Sequence, residues 1–180
     1  MKTRMIFLHI IASCLFLGTP AMANEQQKHG FNEHRFTVLY DGIVNWLGIN
    51  TRYSIKGIER PEMRFVDKQA LKNMICKDQG IKVSECTLEV RAAYTKGVMW
   101  VIYGFNPILV VDDKITFVHE LVHHLQEQST TKVSFACMRH VEHEAYATEL
   151  LYAKEFGLND ETHPVFVKLL SLPCSSRSDK

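Results

Sequence analysis

The chain has 180 residues, a hydrophobic fraction of 46% and a formal net charge of +1. That length fits one domain with a sizeable core. The balance of charge excludes the basic stripe that nucleic acid or an anionic membrane surface demands.

Met1-Lys2-Thr3-Arg4 is basic, Met5 to Leu17 is apolar, and Ala21-Met22-Ala23 is an A-x-A site. Together they predict a secretory signal peptide over 1–23 and a single domain over 24–180. The apolar run is too short for a membrane span. The expected location is therefore the periplasm or the exterior, with no membrane attachment once the leader is removed. Ile11-Ala12-Ser13-Cys14 also resembles a lipoprotein cleavage box, so anchoring at Cys14 is the alternative. Apolar Leu15-Phe16-Leu17 follows that cysteine, as in an uninterrupted leader.

After Asn24–Glu33, Phe36, Leu39, Tyr40, Ile43, Val44 and Leu47 recur at three- and four-residue spacing and predict a helix that stops at Gly48. Met63–Val66 reads as a short strand. Asp67 is placed to cap a helix running to about Cys76. Thr87–Tyr94 and Val98–Tyr103 flank Thr95-Lys96-Gly97, a hairpin pattern. Ile108–Val111 is a further apolar run, and either Asp112 or Asp113 can cap the helix after it. That helix has Ile115, Phe117, Val118, Leu121, Val122 and Leu125 for its core face and ends at Glu127–Thr131. A last long helix runs from about Met138 to Phe156, with Gly157 at the position after the cap. Val165–Leu172 is a short apolar stretch. The sum is an α+β domain with a short antiparallel sheet packed on two helices.

Cys76, Cys86, Cys137 and Cys174 lie beyond the leader. An even count in an exported chain points to disulfides, with three possible connectivities. Cys76–Cys86 closes a short local loop, and Cys137–Cys174 would tie the tail to the start of the last long helix. That pairing is the preferred one. No C-x-x-C occurs, which disfavours a thiolate metal site.

The chemistry is concentrated in His119-Glu120-Leu121-Val122-His123. Residues four apart share a helix face, so two imidazoles converge on one point. Zinc accepts neutral imidazole nitrogens, and the adjacent glutamate can take a proton from a water bound to the metal. Chance gives roughly 0.03 such motifs in a chain of this composition. His124 lies about 100° round the helix from His123 and reads as a surface or outer residue, not a ligand.

Zinc needs a third protein ligand. The candidates fall within Arg139–Ala147: His140, Glu142, His143 and Glu144. Glu144 is preferred. It lies 21 residues after His123, room enough for an antiparallel return, and Ala145 and Ala147 beside it are small enough for close helix packing. H-E-x-x-H followed by Glu144-x-x-Ala147 on a second helix resembles the gluzincin metallopeptidases. The resemblance covers about Val98 to Ala153. It implies a zincin-like domain in which His119, His123 and Glu144 bind zinc, Glu120 is the catalytic base, and an edge strand placed like Val98–Tyr103 lines the groove for a peptide or protein substrate. The sequence departs from the thermolysin branch, where an aspartate stands in place of Thr148, and from the metzincin pattern, where glycine and histidine stand in place of Gln126 and Ser129.

The expected activity is zinc-dependent peptide-bond hydrolysis. A non-catalytic zinc-binding exported module is the alternative, favoured by the short chain available for a second lobe. Tyr94, Tyr103, Tyr146, Tyr152 and His163 are open candidates for a donor that stabilises the oxyanion.

Overall fold

Alternating side chains and helical stripes settle into five α-helices and one three-stranded sheet in the computed structural model, which describes residues 32–131, 133–159 and 164–174. The expected leader, the Cys14 alternative and His163 lie outside the described residues. Among the described residues no helix is long and apolar enough to cross a membrane.

Helix α1 spans Glu33–Asn50. Asn32 caps it by accepting the Arg35 N–H at 2.9 Å. Phe36, Tyr40, Ile43 and Leu47 form its buried stripe. Gly48 does not end the helix. Its missing side chain leaves room for Ile55, whose atoms would stand 3.0–3.1 Å from a β-carbon there. The stop is made instead by Thr51, whose N–H and hydroxyl both donate to Leu47 O at 2.9 and 2.7 Å.

Strand β1 is Glu62–Val66. Asp67 caps α2, Lys68–Asp78, by accepting the Ala70 N–H at 2.8 Å, as expected. Strands β2, Ala92–Thr95, and β3, Val98–Ile102, form the expected hairpin, although β2 is shorter than the Thr87–Tyr94 run. Lys96 and Gly97 carry φ of 50° and 80°, the positive pair that a two-residue turn requires. The sheet is mixed, not purely antiparallel, because β1 joins the other side of β3 in parallel register, Glu62 against Val98 through Val66 against Ile102. Strand order is β1-β3-β2. Val98–Tyr103 is therefore not an edge; β3 is the central strand.

The motif helix α3 spans Val111–Gln128 and lies between the sheet and α4, Met138–Glu155. Every apolar residue expected on its core face is buried. Neither aspartate caps it. Both lie in its first turn, where the helix dipole favours an anion. Asp113 is fully buried, accepting from Arg91 Nε and from the Asn106 N–H.

Helix α4 ends on a Schellman turn. Gly157 has φ 63°, its N–H donates to Lys154 O, and Leu158 N–H donates to Ala153 O. Helix α5 is Pro164–Leu170. Both expected disulfides form. Cys76 pairs with Cys86 at a Cα separation of 6.2 Å, and Cys137, the residue before α4, pairs with Cys174 at 6.1 Å.

Candidate metal centre

His119 and His123 sit mid-helix on α3, one turn apart, with ring centroids 4.8 Å apart. Their Nε2 atoms approach to 3.1 Å. The third atom is an oxygen of Glu142 on α4, whose Oε2 lies 3.4 Å from His119 Nε2 and 3.5 Å from His123 Nε2. These three atoms form a nearly equilateral triangle. Four tetrahedral zinc ligands at about 2.0–2.2 Å stand about 3.3–3.6 Å from one another, so the triangle has the size of one tetrahedral face.

The proton inventory supports the same reading. His119 Nδ1–H donates to Glu149 Oε2 at 2.9 Å, and His123 Nδ1–H donates to Gln126 Oε1 at 2.8 Å. Each neutral ring then has a bare Nε2. Two lone pairs and a carboxylate oxygen face one another, an arrangement that calls for a cation. Without a metal, protons fill that need. Burial opposes charge on His119, but Glu142, Glu149 and Glu120 outweigh it and push its pKa up to about 10. Burial also opposes charge on His123, and Glu142 and Glu120 again raise its pKa. The same histidines hold the Glu142 carboxyl well below its usual range, against the effect of its burial.

Glu120 is buried beside the triangle without belonging to it. Burial raises its pKa, while the two histidines and a hydrogen bond from the Tyr94 backbone pull the other way. Tyr146 packs its ring 4.4 Å from that of His119, edge to face, and Phe166 of α5 packs 5.2 Å behind it. Burial, then Glu142, Glu149 and Glu120, push the Tyr146 hydroxyl up to about 12, so it keeps its proton. The histidine side chains are 9% and 15% exposed and that of Glu142 is 38%, so the centre opens to solvent on the Glu142 side.

Glu144, the third ligand expected from the sequence, is not in the cluster. It lies two residues from Glu142 and so about 200° away round α4. There it accepts from Arg52 Nε at 2.8 Å, from the Tyr53 hydroxyl and from Gln126 Nε2 at 3.2 Å, at the wall of a groove shared with Arg52 and His143. Sequence spacing places Glu142 only among the competitors and gives Glu149 no role. The signal lay in the sequence: Glu142, Tyr146 and Glu149 at i, i+4 and i+7 make one stripe on α4.

The remaining candidates have other partners. His124 is buried, not at the surface. Its Nε2–H donates to Glu59 O at 2.7 Å and its Nδ1 accepts from the Tyr94 hydroxyl at 3.2 Å. His140 Nε2 reaches Leu172 O at 3.1 Å. It also lies 3.8 Å from Cys174 Sγ, but both sulfurs there belong to the disulfide and offer no thiolate. Tyr152 packs against Trp46, and Tyr103 is exposed.

Fold and site together define a small α+β domain with a three-atom candidate metal face built across two antiparallel helices. The chain belongs to the family described as a domain of unknown function, DUF6647, whose family model matches residues 33–179. No curated protein and no solved structure matches it.

Proposed function

We propose that this protein is an exported zinc-dependent hydrolase acting on peptide bonds, with His119, His123 and Glu142 as metal ligands. The observation that carries the reading is the tetrahedral-face triangle of bare acceptor atoms, with a buried carboxylate, Glu120, beside it and not consumed as a ligand. Zinc bound there would supply a Lewis acid that polarises water and a scissile carbonyl. Glu120 is the base that takes a proton from the attacking water and returns it to the leaving amine. Its burial raises its affinity for that proton. Tyr146, whose ring packs 4.4 Å from that of His119, is the donor toward the carbonyl oxygen, its hydroxyl being kept protonated.

A peptide substrate would lie beside β2, the sheet edge next to Glu120, and not along the central β3. Ile102 N–H donates to Arg91 O, so alternation turns the backbone of Tyr94 away from β3, where it bonds Glu120. Export is supported by the leader-like first 23 residues and by the two disulfides.

The test is metal analysis and peptide-library turnover of the mature chain beside Glu120→Gln. The expected outcome is one zinc in both proteins and turnover in the parent alone. A parent that binds zinc yet cleaves nothing would assign the centre to a non-catalytic binding module. Turnover surviving in Glu120→Gln would remove that residue from its role.

A further inference from the structure

We infer that Gln126, locked by Glu144, is the positioning residue that keeps the proton of His123 on Nδ1 and so leaves its Nε2 free for the metal; the inference rests on the zinc reading above. The two histidines are held by different chemistry. His119 Nδ1 faces the Glu149 carboxylate, which can only accept, so its proton location needs no further selection. His123 Nδ1 faces an amide, which carries a donor at one end and an acceptor at the other.

The direction of that amide decides the tautomer. As placed, Gln126 Oε1 accepts from His123 Nδ1–H at 2.8 Å. With the amide reversed, its NH₂ group would face Nδ1 and move the imidazole proton to Nε2, where it blocks coordination. Reversal is opposed at the other end of the side chain. Gln126 Nε2 donates to Val141 O at 3.0 Å and to Glu144 Oε2 at 3.2 Å, and neither oxygen can donate in return. A reversed amide would set its own oxygen against both. Glu144 is fixed in turn by Arg52 Nε and the Tyr53 hydroxyl, just beyond α1. The orientation is thus handed from Arg52 and Tyr53 through Glu144 and Gln126 to a ligand nitrogen. This gives Glu144 a function that direct ligation does not.

The test compares zinc dissociation constants, by competition with a chromophoric chelator, for the mature chain and three variants. Gln126→Leu loses the acceptor and should bind zinc roughly 10–100-fold more weakly. Gln126→Glu loses both donated bonds but keeps the acceptor, and should stay within about fivefold of the parent. The double variant Gln126→Glu/Glu144→Gln removes the clash of two carboxylates and should also bind like the parent, which covers the case of a misfolded single variant. The cobalt-substituted visible spectrum should match the parent in the glutamate variants and change in Gln126→Leu. If Gln126 merely braces α4, the loss of its donated bonds makes Gln126→Glu as weak as Gln126→Leu, which overturns the inference. So does parent-like zinc binding in Gln126→Leu. A parent that binds no zinc sinks the hydrolase reading itself.

Discussion

Replacing Glu142 by Ala separates the observed centre from the one expected along the sequence. The substitution removes the oxygen 3.4 and 3.5 Å from the two Nε2 atoms and leaves two imidazoles. Structural zinc sites bind with apparent free energies of about 10–16 kcal/mol over four ligands, or about 3 kcal/mol for each. Losing one should therefore weaken zinc roughly 100-fold or more. Glu144→Ala leaves all three ligand atoms in place. It removes one of two acceptors from Gln126 Nε2, the Val141 carbonyl remaining, so the loss should stay below about tenfold. Competition titration with a chelator of known affinity resolves that difference, and circular dichroism checks that both variants fold. If Glu144→Ala loses more zinc than Glu142→Ala, the assignment of the third ligand is refuted.

Tyr146→Phe removes only a hydroxyl and should leave zinc binding unchanged while lowering kcat/KM by roughly 100–1,000-fold, the effect of one oxyanion donor; steady-state kinetics on any peptide that the parent cleaves would show it. The metal-free protein should melt highest between about pH 4.5 and 6.5. Below that window Glu142, whose folded pKa is lowered, takes up a proton and its contribution fades; above it, the raised pKa values of His119 and His123 mean that stability drains away toward about pH 10. Zinc should abolish the alkaline decline, and thermal melts with and without chelator measure it. Removing Cys137–Cys174, which spans 37 residues, should cost about 3.8 kcal/mol by loop entropy, against about 2.7 kcal/mol for Cys76–Cys86, which spans 10. Urea unfolding of the two paired Cys→Ala variants gives the order, and a larger loss at the shorter loop contradicts it.

Local signals read well where one residue decides the outcome. Asp67 caps α2, Gly157 closes α4, and the turn at Lys96-Gly97 sets the hairpin, because each depends on the backbone within a few residues. The motif helix was legible from its period, and its apolar residues are buried as that period requires. What escaped depends on distant partners. Gly48 has the look of a stop, yet it is needed for the approach of Ile55. Asp113 has the look of a cap, yet Arg91, 22 residues earlier, draws it into the core. The parallel pairing of β1 with β3 joins segments more than 30 residues apart and leaves no local mark, so an edge was expected where the centre of the sheet lies.

The choice between Glu142 and Glu144 has a geometric answer once the packed face of α4 is known. Spacing from His123 cannot separate them, since a loop absorbs two residues without effort. The helix can, because at 100° per residue the two carboxylates point to nearly opposite sides. Of the two small residues expected to let the helices close, Ala147 lines the groove beside Arg52 and Ala145 is fully buried. It lies about 60° from Glu142 and about 100° from Glu144 round the axis, so close packing at Ala145 already turns Glu142 toward α3. Tyr146 and Glu149 fall within about 40° of Glu142 and complete a face that carries ligand, ring and orienting carboxylate. Glu144 shares its stripe with Thr148 and Leu151 and meets Arg52 instead. A histidine pair on one helix therefore selects its partner on the next by the stripe that carries the buried small residue, and spacing from the motif is a poorer guide.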